Sequence, residues 1–215
     1  MSYIIYVSDT ETTGMVPEEN DIIEISFSRF TLEDSSNKEQ KTWLLKALNP
    51  ETIADEALAK NKHKKEDILH LTKVGKEKYM EPSLAVAEME SWIMDDLMSA
   101  HDRIILGQNI EFDVLMMKEL WKRVGCENTF PFNVDNDNRI IDTKMLATIW
   151  DLCTGRRRMH YNLGTLVEAF NVKKRRAHRA EDDVAMTADL FVNMVSPIIP
   201  VIKQAFNDSY SSKDM

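Results

Sequence analysis

The sequence predicts an α/β fold in which a mixed five-stranded sheet is flanked by α-helices. The first third of the chain carries three apolar segments rich in β-branched residues, joined by short polar links. From residue 50 onward apolar residues recur at helical spacing, and two short apolar runs, 103–106 and 140–141, separate the helical segments. Strands joined by short links pair antiparallel, whereas strands that alternate with helices pair in parallel. Together these patterns predict one mixed sheet covered by helices.

The strands of this sheet follow from the positions of the apolar runs. The first three are predicted at Tyr3–Val7, Asp21–Phe30 and Lys41–Leu48, and the polar residues 34–37 supply the turn before the third. The last two are the short runs at 103–106 and 140–141. Because sites in such sheets form at strand ends where connections diverge, the residues just after the first strand are the first place to look for chemistry.

Helices are predicted where the apolar residues repeat every three or four positions. The predicted spans are Glu51–Leu58, Pro82–Met98, Phe112–Arg123, Asp142–Leu152, Leu163–Phe170 and Glu181–Met194. The segment 125–139, with a glycine, a proline and several Asn and Asp residues, is predicted to be a loop.

Length and composition indicate a single domain. A chain of 215 residues with 43% apolar content can build one ordinary core, so we predict one domain over residues 1–206. The polar segment 207–215 is predicted to be a disordered tail. Two cysteines, Cys126 and Cys153, are expected to be reduced thiols. Since neither a signal peptide nor an apolar run of membrane-spanning length is found, we expect a cytoplasmic protein without membrane contact.

The charge balance argues against a simple cationic clamp for nucleic acid. The net charge is −9 and the pI is about 5.1. An acidic protein can still bind nucleic acid if bound cations offset the negative charge of a carboxylate-rich site and local basic segments contact the phosphates. Three basic segments are candidates for such contacts. The segment Arg156–Arg158 weakly favours nucleic-acid binding, and the segment Lys173–Arg179 could equally guide a phosphate backbone or form a solvated turn. The segment Lys60–Lys65 is more typical of a solvated helix face.

The segment DTETTG at residues 9–14 carries two alternating carboxylates directly after the first strand. Side chains repeat every second residue on extended backbone, so Asp9 and Glu11 point to the same side. Two negative groups on one face repel each other unless a cation lies between them, and oxygen ligands of this kind suit Mg²⁺ or Mn²⁺. The pattern therefore predicts a divalent-cation site.

Two later segments could complete such a site. GQNIEFD at 107–113 opens a helix, where Asn109 could be the capping residue and Asp113 lies in the first turn. Taken alone, an Asp in a first turn more often stabilises the helix dipole than binds a metal. HRAEDD at 178–183 places His178 just before a helix and Asp183 one turn inside it. A His near a metal-binding carboxylate could accept a proton from an activated water.

These three segments, in this order, resemble the signature motifs of the DEDDh 3′–5′ exonuclease family, which includes the proofreading subunit of DNA polymerase III, ribonuclease T and oligoribonuclease. Supporting similarity lies in DIIEI at 21–25, IDT at 141–143 and NLGTL at 162–166. One departure is Gln108, where many members carry a His. The resemblance implies a ribonuclease H-like fold and the removal of nucleotides one at a time from a 3′ end.

The resemblance also implies roles for individual residues. Two cations, Mg²⁺ or Mn²⁺, would be bridged by Asp9, with Glu11 and Asp183 on one of them. Asp113 would act on the second chiefly through water, and His178 would be the general base. The implied catalytic set is Asp9, Glu11, Asp113, His178 and Asp183, and the implied substrate contacts are Thr10, Thr12, Thr13, Met15 and Asn109.

The leading hypothesis is a metal-dependent exonuclease acting on a free 3′ end, with single-stranded DNA favoured as substrate. An exoribonuclease is the alternative within the enzyme class, since no residue indicates how a 2′-hydroxyl would be distinguished. A non-catalytic nucleic-acid-binding module would be expected to lack a ligand carboxylate or the His, and none is missing. Association with a polymerase and homodimerisation both stay open, although the short segment after Phe206 favours a free-standing nuclease.

Overall fold

The computed structural model describes residues 3–134 and 139–204 and contains a five-stranded mixed sheet. The strands lie in the order β3-β2-β1-β4-β5. They span Ile4–Thr12 (β1), Ile22–Phe30 (β2), Glu39–Leu44 (β3), Arg103–Gly107 (β4) and Ile140–Asp142 (β5). The first three pair antiparallel, while β4 pairs in parallel with both β1 and β5. The predicted fold class is therefore confirmed.

The helices cover both faces of this sheet. Those used below span Asp55–Asn61 (α1), Lys65–Ile68 (α2), Lys73–Lys78 (α3), Pro82–Met94 (α4), Ile110–Arg123 (α5), Thr143–Thr154 (α6), Leu163–Ala169 (α7) and Ala180–Val195 (α8). Short 3₁₀ turns lie at Pro50–Thr52, Ala100–Asp102 and Glu127–Thr129, and residues 199–204 are also helical.

Several element boundaries differ from the sequence prediction. The strand predicted to end at Val7 continues to Thr12, because its polar residues stay paired with β2 as far as Ile22. Asp9 and Glu11 therefore lie within the second half of a strand rather than past its end. The helix predicted at 51–58 is a 3₁₀ turn followed by α1, and the helix predicted to reach Met98 ends at Met94. Helices α2 and α3 were not predicted.

Alternating side chains of β1 separate two layers of core. Tyr6 belongs to the cluster that includes Trp43 and Trp121, on the side of α4 and α5. Ile5 and Val7 point the other way and pack with Val184 and other residues of α8. Since odd-numbered residues of β1 face α8, the same alternation directs Asp9 and Glu11 toward the start of that helix.

The tryptophans lie in apolar surroundings. Trp43 and Trp121 are buried, and Trp92 and Trp150 pack partly buried against the core clusters. In the part of the chain that the structure describes, no helix combines the length and apolar character needed to cross a membrane. The predicted tail at 207–215 and the domain end at 206 lie outside the described residues.

Candidate active site

The first carboxylates stand on β1 and face α8. In the β1–β2 register Asp9 lies opposite Ser26, and Glu11 lies opposite Glu24. Directly opposed residues of an antiparallel pair point to the same side, so these carboxylates share one face of the sheet. The intervening Thr10 points to the other side, where it contacts α5.

Thr10 holds Asp113 in place. Its backbone N–H and its hydroxyl both donate to Asp113 Oδ1, at 2.8 and 2.6 Å. Asp113 is buried in the first turn of α5, which begins shortly after β4 ends. Because β4 runs parallel to β1, its carboxyl end brings this helix start next to the end of β1. Gly107 permits the close approach, since a Cβ there would lie 2.9 Å from the Ser8 carbonyl oxygen.

Asn109 occupies the N-cap position of α5, but its side chain makes no capping hydrogen bond. Its backbone is left-handed, with φ of 62°. The N–H of Ile110 instead donates to Asp142 Oδ2, at 3.2 Å. The prediction that the Asn109 side chain caps this helix is therefore wrong, because a carboxylate from β5 takes that place.

The third motif meets the first at the start of α8. The backbone N–H of His178 donates to Asp183 Oδ2 at 3.0 Å, and the N–H of Asp183 donates to the Arg179 carbonyl oxygen at 2.9 Å. His178 is exposed, Asp183 is buried, and the possible ligand atoms of Glu11, His178 and Asp183 all lie within 4.8 Å of one another. Residues far apart in the chain thus form one cluster able to hold a metal ion.

Burial raises the pKa of all four carboxylates at this site, and mutual repulsion adds to the rise for Asp9 and Glu11. The pKa of Asp9 lies well above its usual range because of burial and then the charges of Asp113, Asp183 and Glu11. Burial followed by the charges of Asp183 and Glu24 raises the pKa of Glu11 to about 8. Each group would ionise more easily if positive charge lay among them.

The other two carboxylates are affected mainly by burial. Burial raises the pKa of Asp113 to about 7, although the two hydrogen bonds from Thr10 oppose the shift. Burial also raises the pKa of Asp183 to about 6, against the hydrogen bond from the His178 backbone. Four recessed carboxylates with raised pKa values form an oxygen-only donor set that suits hard divalent cations, so the residues fit a metal centre.

His178 shows the opposite shift. Partial burial, followed by the positive charges of Lys60 and Lys62, lowers the pKa of its imidazole. A lowered pKa keeps the ring neutral at pH 7, which is the state that can accept a proton. Lys60 also acts against the raised pKa of Glu11. The lysines predicted to be a solvated helix face therefore include at least one member that faces the site.

A cleft of about 400 Å³ opens beside the carboxylates. Its walls come from the first motif, from α1 and from α5. They include Thr10, Glu11, Thr12, Gly14, Met15, Ala54, Glu56, Ala57, Lys60, Asn61 and Phe112. Met15 is 76% exposed at this cleft, where an apolar side chain can contact a base. Sequence reasoning assigned no role to Lys60, Asn61 or Phe112, because their approach to the cleft depends on how α1 and α5 pack.

The threonines of the first motif use their side chains within the protein. The Thr12 hydroxyl donates to the Gly14 carbonyl oxygen at 2.6 Å, and the Thr13 hydroxyl accepts from the Asp21 N–H at 2.9 Å. Thr13 is fully buried. The contacts with substrate that the resemblance implies for Thr12 and Thr13 would therefore come mainly from their backbone groups.

Both arginine-containing segments carry exposed arginines, and Arg158 is the exception within the first. Arg158 is mostly buried in an ion pair with Asp151, at 3.0 Å, and stacks over the Phe170 ring. In the segment 173–179, by contrast, the Arg176 side chain is 88% exposed. The second segment leads directly into His178, so it brings exposed positive charge near the site, with Arg176 lying 3.7 Å from Asp182 Oδ2. Arg158 instead serves packing.

Comparison with known proteins agrees with this geometry. The profile of the RNase_T family, described as an exonuclease family, matches residues 6–191. The chain is 27% identical over 188 residues to the DNA polymerase III subunit epsilon of Treponema pallidum, covering 87% of this chain and 74% of that protein. It is 26% identical over 194 residues to the PolC-type DNA polymerase III of Caldanaerobacter subterraneus, covering 89% of this chain but only 12% of the polymerase.

Solved structures share the fold at low identity. A zinc-bound complex of E. coli ExoI with single-stranded DNA superimposes with a TM-score of 0.74 at 16% identity, over 96% of this chain and 43% of that one. The structure of E. coli exonuclease I bound to a dT13 oligonucleotide gives a TM-score of 0.72 at 17% identity, and the match covers 95% of this chain and 43% of that one. The chain thus spans less than half of these neighbours. The matched profile and the convergence of the three motifs show that the chain belongs to the RNase_T exonuclease family and is of the DEDDh 3′–5′ type.

Proposed function

We propose that this protein is a metal-dependent 3′–5′ exonuclease that releases nucleoside monophosphates from DNA 3′ ends. The observation that carries the proposal is the convergence of the Glu11, His178 and Asp183 ligand atoms within 4.8 Å, beside two further recessed carboxylates. An acidic cluster with a neutral imidazole at its edge suits hydrolysis of a phosphodiester. It suits poorly a module that only binds anionic nucleic acid, because its carboxylates repel phosphate.

Asp9, Glu11, Asp113 and Asp183 are the residues that would hold two divalent cations, Mg²⁺ or Mn²⁺. Their raised pKa values support this, since each carboxylate would lose its proton more readily with a cation present. When bound, such cations supply positive charge that offsets the charge of the phosphate and of the departing oxygen. Thr10 contributes by fixing one oxygen of Asp113 with two hydrogen bonds.

His178 would act as the general base. In the proposed reaction a water oxygen bonds to phosphorus while its proton passes to the neutral imidazole. The bond from phosphorus to the 3′ oxygen of the preceding nucleotide breaks, and that oxygen takes a proton from solvent. The exposed position of His178 allows the ring to return its proton to bulk water. Asp183 orients the residue by accepting its backbone N–H.

The cleft beside the carboxylates would receive the terminal nucleotide. Met15 and the half-buried Phe112 offer apolar surface to a base, and Lys60 offers a charge to a phosphate. The exposed basic segment 173–179 would guide the rest of the strand. DNA is favoured as substrate because the two matched relatives are DNA polymerase III proteins by name, and exonuclease I is bound to a dT13 oligonucleotide in the structure that shares this fold. A cytoplasmic location is part of the same proposal.

The direct test is digestion of 5′-labelled oligonucleotides in Mg²⁺ or Mn²⁺, comparing single-stranded DNA, duplex DNA and RNA. A ladder that shortens by single nucleotides from the 3′ end is expected, and a 3′-blocked strand should resist. Asp183→Asn should bring the rate close to background. Glu181→Gln, an exposed acid in the same helical turn, is the matched control and should retain activity. Fragments from internal cuts, or an active Asp183→Asn, would refute the proposal, and faster cleavage of RNA would change its substrate.

A further inference from the structure

A buried acid beside the site has no role in the reaction proposed above. Glu24 lies on β2 directly opposite Glu11, and its side chain is 0% exposed. Its Oε2 lies 2.8 Å from Nε2 of His63 and 3.4 Å from Nε of Arg179. A buried carboxylate needs partners, and these two belong to segments that border the active site on either side.

The first partner connects Glu24 with the rim formed by α1. His63 Nδ1 lies 2.6 Å from the Tyr79 hydroxyl. Its Nε2 faces Glu24, so the buried ring of His63 is held at both nitrogens, by Tyr79 on one side and by Glu24 on the other.

The same segment reaches the cleft. Asn61, two residues before His63, donates from Nδ2 to the Thr12 carbonyl oxygen at 3.1 Å. Its neighbour Lys60 lines the cleft and faces His178. The position of His63 therefore bears on the position of the rim lysine.

The second partner connects Glu24 with the general base. Arg179 directly follows His178 and is the N-cap residue of α8. His178 has a φ of 62°, a left-handed conformation that a residue other than glycine keeps only when its surroundings hold it there. Contacts that hold this turn include the Asp183 bond to the His178 N–H, the Arg179–Glu24 ion pair, and a 2.7 Å bond from Gln40 Nε2 to the Glu181 carbonyl oxygen.

We propose that Glu24 is a positioning residue, which through Arg179 and His63 fixes the His178 turn relative to the α1 rim of the cleft. This inference rests on the proposed role of His178 as general base. Because its side chain is 0% exposed, Glu24 is given no direct contact with the substrate in this proposal. Its buried carboxylate contacts both His63 and Arg179, which belong to segments on opposite sides of the site, and so fixes the two segments relative to each other.

A purely structural ion pair elsewhere in the sheet provides a matched control. Arg103 and Asp96 form a buried pair at 2.7 Å. Arg103 lies opposite Ile4 at the start of β1, whereas the site lies at the end of that strand. Asp96→Asn should therefore lower thermal stability but leave kcat near that of the parent.

The kinetic test compares Glu24→Gln, His178→Ala and their double variant at saturating metal. Gln keeps an oxygen for His63 but loses the charge that holds Arg179. Replacing a residue that orients a catalytic group typically costs about 10–100-fold, so we expect such a fall in kcat with a smaller change in KM. In the His178→Ala background the same substitution should change kcat by no more than about twofold, because its effect passes through His178.

Multiplicative losses in the double variant would overturn the inference. The inference would also be overturned if Glu24→Gln changed only the metal concentration needed for half-maximal activity. That result would mean that Glu24 acts on metal binding, through its neighbour Glu11, and not on His178. Should Glu24→Gln fail to fold, Arg179→Ala replaces a partly exposed side chain and tests the same link, with Arg179→Lys expected to recover part of the loss.

Limited proteolysis gives a readout that does not need activity. The segment 173–179 contains five tryptic sites, at Lys173, Lys174, Arg175, Arg176 and Arg179. In native Glu24→Gln this segment should be cut faster than in the parent or in Asp96→Asn. If the parent protein lacked 3′ exonuclease activity, the proposed function would be refuted, but the proteolysis rates could still be compared. Equal rates of tryptic cleavage in the parent and in Glu24→Gln would refute the positioning role.

Discussion

Replacing Glu11 by Gln should make the metal-free protein more stable while abolishing its activity. Gln has nearly the same shape as Glu but carries no charge and cannot ionise. Burial and the neighbouring carboxylates raise the pKa of Glu11 from 4.5 to about 8, so the folded protein binds a proton there that the unfolded chain has released at pH 7. The substitution removes this cost together with a metal ligand.

The size of the effect follows from the acidity difference. A tenfold change in a proton equilibrium is worth about 1.4 kcal/mol, so holding Glu11 protonated at pH 7 costs the folded state up to about 3 kcal/mol. Glu11 is partly exposed, and solvent screening reduces the expected gain to about 1–3 kcal/mol. For a chain of this length that gain raises Tm by about 2–10 °C.

The pH dependence has a defined sign. The folded-state pKa of Glu11 lies above its unfolded value. The contribution of Glu11 to the free energy of unfolding is therefore most favourable below pH 4.5 and is lost as the pH rises toward about 8. The metal-free parent should therefore lose stability over this range, and Glu11→Gln should lose less. The two Tm curves should separate as the pH rises.

Thermal unfolding in EDTA and in Mg²⁺, between pH 5 and pH 8, measures both consequences. Mg²⁺ should raise the Tm of the parent and raise that of Glu11→Gln much less. Glu111→Gln, an exposed acid in the first turn of α5, is the matched control and should behave as the parent. A metal-free Glu11→Gln less stable than the parent, or equally stabilised by Mg²⁺, would refute the reasoning.

Four further predictions concern catalysis. Asp9→Asn should reduce hydrolysis to background without unfolding the protein, which circular dichroism and single-turnover assays can check. EDTA should stop the reaction, Mg²⁺ or Mn²⁺ should restore it, and Ca²⁺ should support DNA binding with poor turnover, because its larger and looser coordination shell misplaces the reacting groups. His178→Ala should lower kcat by about 10²–10⁴-fold with nearly unchanged substrate affinity. Since Lys60 lowers the pKa of His178 and of Glu11, Lys60→Met should move the acid limb of the pH–rate profile to higher pH, and an unmoved limb would separate Lys60 from the site.

The strands and long helices were predictable because their signal is local. The apolar periodicity of β2 and α8 sets both the type of element and the face that is buried. The end of β1 was not predictable in this way, since residues 9–12 are polar. They remain in the sheet because β2 offers paired backbone groups beside them, which no pattern within the segment reports.

Contacts between distant segments account for the rest. Asn109 has the residue type of a helix cap, yet the carboxylate of Asp142 binds the first N–H of α5, and only the packing of β5 against β4 makes that partner available. The contact between Glu24 and His63 joins residues 39 positions apart. Neither residue lies in a pattern that predicts a partner, so motif spacing led to the carboxylates but not to the side chains that support them.

The acidic character of the chain and its proposed anionic substrate are reconciled by where the charges lie. The net charge of −9 describes the whole chain, while the substrate would meet only the cleft and its rim. The negative charge at the cleft belongs to carboxylates whose raised pKa values favour cations among them. Lys60, Lys62 and the exposed basic segment 173–179 border the same site. The affinity for a nucleic-acid strand should therefore be set by the charges at the cleft rather than by the net charge of the chain. At one fixed ionic strength, a strand should bind poorly to the metal-free protein and more tightly when divalent metal is added.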